Sequence, residues 1–496
     1  MKDGWWQTLE FGHIGIGALV LYLIGLVAVA EIARRARRDL SPGDHFLAAR
    51  DLGVFVLFLT LYATAYSGNS LLGYPGRAYR SGFSFISATG FMMAIIVVFH
   101  ALAPKLRPLA TQRGFITPGD WVRHRFGEDR NARALLFCVG ALMAVAMVNF
   151  LLAQLKAMGH VTSGISGDRI PYWAGVVGLA AMILFYETRG GMRAVAWTDA
   201  AQGVLMVFGL GALLLWLISQ TGGLEAMTQA VARVRPEAVA VPDTRTRINW
   251  FSTIALLGLG SVLYPQAIQR IYAARSARVL RNAFALMTFM PLVTTLVVTL
   301  IGVAAIAQIE GLTGSQTDEV VPELLARWAS EGAVARFLAV LVFVGALAAI
   351  MSTADSCLLS LGSIIARDLM GGSEHAARTT QLGKWVAALM LAAMIPIALM
   401  RDVTLWRLIE LKMELLIQCV PAFLLAIHWK RQRSGPTLLG LLVGTLFSVG
   451  ATLLGHSHLA GLHAGIVGLG LNLSIATAGS LLPRGRVRGT GAEPAV

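Results

Sequence analysis

Charge is scarce in this chain. Only 14% of its 496 residues are Asp, Glu, Lys or Arg, against about 25% in soluble domains, which excludes an ordinary water-facing surface. Cysteine is scarcer still. Cys138, Cys357 and Cys419 all stand in apolar runs, so no disulfide framework staples the fold. No Walker-type phosphate loop is present, which argues against ATP-driven transport. An integral-membrane enzyme would need a clustered nucleophile or metal set, and none is apparent. The nearest approach is His456, His458 and His463 around one short outer loop.

What is abundant is apolar residue, 56% of the chain, much of it in runs long enough to cross a bilayer as a helix. Helices satisfy their own backbone in hydrocarbon, which open sheets cannot do. The runs predict an all-α integral membrane protein with thirteen transmembrane helices, near 13–32, 52–79, 84–103, 134–158, 173–188, 197–219, 250–270, 283–307, 334–366, 384–400, 404–428, 436–454 and 462–482.

The net charge of +14 would suit nucleic acid if it were spread over one face. It alternates between connections instead. Lys105, Arg107, Arg113, Arg123 and Arg125 fall on one side, as do Arg270, Arg275, Arg278 and Arg281, and Lys430, Arg431 and Arg433. Glu310, Asp318, Glu319, Glu323 and Glu331 share a loop on the other side. The positive-inside rule makes the basic side cytoplasmic. The N-terminus is then outside and the C-terminus inside a plasma membrane, bacterial by expectation, and nucleic acid is no partner.

The chain divides into an N-terminal segment with an extra helix and cytoplasmic loop (1–50), five helices (51–219), an extracellular loop (220–249), five more helices (250–430), two C-terminal helices (431–483) and a tail (484–496). The first helix of each five is interrupted. The stretch 52–79 would run about 42 Å as one helix, too long for a straight span, and its centre YATAYSGNSLLGYPG is rich in poor helix formers. LLGLGSVLYPQ at 256–266 is its counterpart. Paired interruptions at matching places in two halves point to a transporter's midplane binding site.

The stretch AAIMSTADSCLLS at 348–360 carries polar residues inside an apolar run. Ala349, Ser352 and Thr353 stand at i, i+3 and i+4, on one helix face. Two hydroxyls and a carbonyl make half a coordination shell for a small hard cation, and freed carbonyls near Ala63 and Tyr66 can complete it. The alternative is that the hydroxyls bond back to their own helix or glue neighbours. Asp355, a carboxylate inside a span, marks a functional site by default.

The stretch AAIMSTADSCLLSLGSIIARDL resembles the eighth-helix signature of the sodium–solute symporter family. GGMRAVAWTDAAQG at 190–203 resembles the fifth-helix signature, ATAYSGNSLLGYPGRAY at 63–79 the broken first core helix, and YPQAIQRIYAARS at 264–276 the end of the sixth. The resemblance covers almost the whole chain. It implies a LeuT-type 5+5 inverted repeat with broken first and sixth core helices, and sodium-coupled import of a small organic solute. It assigns a sodium site to Ala63, Tyr66, Ala349, Ser352 and Thr353. It also points to a second cation or proton position at Asp199, Ser352, Asp355 and Ser356. Asp355 departs from the family by replacing a hydroxyl, so two sodiums, sodium plus a proton, or a solvated charge all stay open.

Solute contacts in that fold come from the first, third, sixth and tenth core helices. The matching candidates are Thr64, Ser67, Asn69, Ser70, Gln154, Tyr264 and Gln266, with Glu410 and Glu414 as an outer gate. Ala65 stands where several amino-acid-transporting relatives carry an acid, which argues against a proline-type pocket. That absence, with Lys156 on the third helix, tilts the expectation towards a carboxylate-bearing solute such as a monocarboxylate, amino acid or vitamin. Lys156 is otherwise read as snorkelling to the outer interface, and Lys412 as pointing away from Glu410 and Glu414. Proton coupling and a solute-sensing receptor are the rival readings.

Overall fold

The computed structural model describes residues 9–35, 41–167, 169–371, 376–400 and 404–483; the tail at 484–496 lies outside them. The principal helices are α1 (Leu9–Arg35), α2 (Val54–Ala65), α3 (Tyr74–Ser81), α4 (Ser87–Arg113), α5 (Arg130–Ser166) and α6 (Tyr172–Thr221). There follow α7 (Thr244–Ser261), α8 (Pro265–Ala273), α9 (Ala277–Met287), α10 (Leu296–Ala305), α11 (Ala333–Ile364), α12 (Ala376–Ala398) and α13 (Leu405–Leu416). The last elements are α14 (Ser434–Leu453), a hairpin of β1 (His458–Leu459) and β2 (Leu462–His463), and α15 (Ala464–Leu481).

Among the described residues, eight helices are long and apolar enough to cross a membrane, or nine if the bent pair α7–α8 counts as one span. Thirteen were expected from sequence, and the shortfall has identifiable causes. The break after Ala65 leaves α2 only 12 residues long. Chain 69–113 runs on as a single helical stretch. The 404–428 region carries Arg407, Glu410, Lys412 and Glu414 and is divided into short pieces. Gly191, at φ 59°, divides the 50-residue α6 into two arms.

Both expected interruptions are present. Tyr66 leaves helical geometry at φ −105°, ψ 84°, and a wide turn at Asn69–Gly73 leads into α3. Ser, Gly and Asn at 67–70 are poor helix formers. Gly68 is also required by space: a Cβ there would lie 2.5 Å from Ile350 Cγ1 and 3.0 Å from Gln154 Oε1. The break therefore presses against α11 and α5. Between α7 and α8 the axis bends by 51°, and Pro265 opens α8 where its missing N–H costs nothing.

Helix α11 is the centre of the molecule. It packs most heavily on α6 and α5, and every residue from 342 to 364 is buried. Polar residues inside 348–360 thus face protein, not lipid.

Two charges read from sequence as loop charges are buried. Arg270, on α8, is fully enclosed and so is no surface charge. Asp318, in the acidic loop between α10 and α11, accepts the Leu405 N–H at the start of α13 at 2.9 Å. Burial pushes its carboxyl up to about 6, against that bond and the attraction of Arg80. A carboxyl raised on folding binds more protons folded than unfolded, so burying Asp318 costs nothing below about pH 4 and destabilises the fold increasingly as pH rises to about 6. The shift corresponds to about 3 kcal/mol as an upper figure. Asp318→Asn keeps an acceptor for Leu405 without the charge. We expect a higher melting temperature than wild type at pH 7.5, with the difference vanishing near pH 4, measured by thermal unfolding in detergent.

Candidate ion and solute site

The end of α2 supplies carbonyls with no continuing helix to use them. Tyr66 N–H still bonds to Tyr62, but the chain then turns away, and the last carbonyls of a helix lack intrahelical partners. Against this end lies α11. Thr353 Oγ1 donates to Ala349 O at 3.1 Å and approaches Ala63 O at 3.4 Å. Ala63, Tyr66, Ala349, Ser352 and Thr353 are all fully buried. The arrangement brings the Ala63 carbonyl together with the Ala349 carbonyl and the Thr353 hydroxyl, while Tyr66 stands at the break itself. Neutral oxygens of this kind suit a small hard cation.

Next to that wall is a fully buried polar network. Asp199, on α6, accepts hydrogen bonds from the hydroxyls of Ser352 and Thr60. Arg270 Nη2 reaches its Oδ2 at 3.0 Å. The guanidinium also bonds to Thr60 Oγ1 at 2.9 Å, Gln266 O at 3.1 Å and Ser356 Oγ at 2.7 Å. Ser356 Oγ in turn lies 3.4 Å from Asp355 Oδ1. Asp199, Ser352 and Ser356 thus share one network through Arg270, and Asp355 adjoins it only through its chain neighbour Ser356. The unexpected member is Arg270, a cation already paired with Asp199. A buried carboxylate needs a charged or strongly donating partner; that need is the one signal that could have found Arg270, which hydropathy places among the loop charges.

Below the break is a cavity of about 70 Å³. Thr64, Ser67, Asn69, Ser70 and Tyr264 line it, among Phe99, Phe150, Ile409 and other apolar groups. Thr64 spends its hydroxyl on the Thr60 carbonyl. Asn69 does not: both its amide atoms are buried without a hydrogen-bond partner. Gln154 and Gln266 are outside the lining. Gln154 Oε1 instead accepts Gly68 N–H at 3.1 Å and so fixes the break, while Gln266 packs beside Cys357. Lys156 is likewise absent; it is buried on α5 and donates to the Met400 carbonyl.

The amine of the cavity is Lys412. It is buried, and its Nζ lies 3.2 Å from the Phe150 ring centroid and 5.4 Å from that of Tyr264. Among the described residues it forms no ion pair. Sequence spacing correctly turns it away from Glu410 and Glu414, but spacing alone gives no sign that the opposite face meets the cavity.

The sodium:solute symporter family model matches residues 45–444. The chain belongs to the sodium:solute symporter family. This symporter is 26% identical to the sodium/pantothenate symporter of Escherichia coli strain K12 over 456 residues, covering 88% of this chain and 90% of the relative. It is 28% identical to the sodium/proline symporter of Salmonella typhimurium over 444 residues, covering 86% and 85%. A solved sodium-coupled sialic acid symporter superposes with a TM-score of 0.76 at 18% identity, covering 94% of this chain and 97% of that one. That likeness places the symporter among LeuT-like folds. The chain is a multi-pass membrane transporter and not an enzyme.

The two gate candidates of the symporter do not line the cavity. Glu410 accepts from Trp406 Nε1 at 2.7 Å and Arg407 Nη1 at 3.1 Å. Glu414 accepts from Thr452 Oγ1 of α14 at 2.7 Å. Both face the C-terminal helices and their hairpin.

Proposed function

We propose that the symporter imports a compact organic solute bearing a carboxylate, coupled to the inward sodium gradient by alternating access. The observation that carries this reading is Lys412: a buried amine lining the cavity, held by two aromatic rings and without an anionic partner. Burying an unpaired charge is costly, cation–π contact returns only about 0.5–2 kcal/mol, and a solute carboxylate supplies the missing partner. Asn69 offers the second polar contact. Pantothenate and proline, named for two relatives, both carry carboxylates. Sodium binds at Ala63, Tyr66, Ala349, Ser352 and Thr353, within the same broken-helix region, so each ligand favours the form that binds the other. The thirteen-span inverted repeat, with the N-terminus outside, belongs to the same reading.

The test is a thermal-shift screen of solutes with and without sodium, since a ligand of the folded state stabilises it by mass action. Carboxylates are expected to stabilise the protein only with sodium present; stabilisation by uncharged sugars alone would overturn the reading. Ser352→Ala removes one proposed ligand and a hydrogen bond to a charged group worth about 1.5–3 kcal/mol. We expect the sodium concentration for half-maximal uptake to rise at least about tenfold. Unchanged sodium dependence would remove Ser352 from the site.

A second reading, with a proton as coupling ion or added to sodium, draws on Asp355, a carboxylate enclosed beside Ser356. A second sodium at that position would share Asp199 with Arg270. Uptake with choline replacing sodium, over a range of pH, separates the ions, and the Hill slope for sodium gives their number.

A further inference from the structure

Away from the cavity, the fold brings together three side chains that no role above requires. His458 and His463 stand directly opposite each other in the hairpin. Between them, Ala460 at φ 51° and Gly461 at φ 89° are both left-handed, as a tight two-residue hairpin loop requires. The imidazole centroids are 4.3 Å apart. Glu410 reaches them from α13, and one ligating atom from each of the three lies within 4.8 Å of the others. At zinc–nitrogen and zinc–oxygen bonds near 2.0–2.1 Å, tetrahedral ligands sit about 3.3 Å apart. Closing each pair by about 1.5 Å at most completes the set.

The hydrogen bonds orient the rings for ligation. Ser457 Oγ takes His458 Nδ1 at 3.2 Å, and Thr253 Oγ1 takes His463 Nε2 at 3.1 Å. Metal-binding imidazoles are held through their second nitrogen in this way. His463, only 1% exposed, is left with a buried Nδ1 that has no hydrogen-bond partner. It points towards Glu414 Oε1, 4.0 Å away and also without one. Arg407 Nη1 and Trp406 Nε1 already donate to the two Glu410 oxygens, so the ion must share that carboxylate with them, and Arg77 and Arg245 beside His458 oppose its positive charge.

We propose that Glu410, His458 and His463 form a binding site for a divalent transition-metal ion of zinc type, with Glu414 or water as the fourth ligand. His458 also lines a recess of about 580 Å³ beside Arg77 and Arg245, which gives the ion a way in. The bound ion ties α13 to the hairpin joining α14 and α15.

The test uses purified full-length protein in detergent, with zinc titrated against a chromophoric indicator and melting followed with zinc or magnesium chloride. It needs no solute, so its outcome is independent of the transport reading. One zinc per chain is expected, with a rise in melting temperature that magnesium does not reproduce. His458→Gln should lose both effects while melting as wild type does without metal, and His456→Gln should keep them. Glu410→Gln, which retains an acceptor for Trp406, should weaken zinc binding at least about tenfold. Equal zinc binding by His458→Gln and wild type, or no binding below 1 mM zinc (about the weakest that mass action makes useful), would overturn the proposal.

Discussion

Lys412→Met is expected to abolish solute uptake while leaving sodium binding intact. Methionine keeps an unbranched stem against Phe150 and Tyr264, so packing changes little. What is lost is the ammonium. Removing one partner of a buried charge pair costs about 2–5 kcal/mol, which is about 30-fold to several thousand-fold in solute affinity. The unliganded protein should melt no lower than wild type, because an unpaired charge has left its interior. Lys412→Arg should not rescue uptake, since a planar guanidinium needs more room and a different donor geometry. The measurements are sodium-dependent stabilisation without solute and radiolabelled uptake with it. Normal uptake by Lys412→Met would rule out a carboxylate anchor at this position.

Arg270→Met should be the most damaging single change to folding. It leaves Asp199 without its cation at the centre of the bundle, and breaking a buried pair in this way costs about 3–5 kcal/mol. Asp199→Leu should be nearly as harmful, because it strands Arg270. The double variant Asp199→Leu with Arg270→Met should recover much of the melting temperature, since paired apolar replacement of a buried ion pair is often neutral or stabilising. It should not recover sodium dependence, because Ser352 loses the carboxylate that orients its hydroxyl. Fluorescence-detected size exclusion after heating reads the stability, and sodium-dependent stabilisation reads the site. Additive damage in the double variant would mean the two residues do not act as a pair.

The breaks at 66–68 and 262–264 were legible because Ser, Gly, Asn and Pro are backbone signals, readable without knowing any neighbour. The face made by Ala349, Ser352 and Thr353 followed from helical spacing. Arg270 was misplaced because the positive-inside rule counts basic residues near span ends, and α8 continues inward past the point where hydropathy suggested a loop. Lys412 was missed for a different reason. Periodicity gives the face of a helix, and only packing gives what that face meets. Gln154 and Gln266 show the converse: their helices were right, yet one holds the break and the other packs beside Cys357.

The enclosure of α11 has a mechanical consequence. Its buried stretch 342–364 cannot shift without carrying its neighbours or sliding past them. Its contacts are often close and low in relief: a Cβ on Gly362 would meet the Gly383 carbonyl oxygen at 2.6 Å, and one on Gly345 the Leu205 backbone at 3.4 Å. Small residues let helix backbones approach with little interlocking of side chains. At Gly345 and Gly362 the α11 backbone therefore sits directly against its neighbours, and any larger residue at Gly362 would push α11, with the proposed sodium ligands it carries, away from α12.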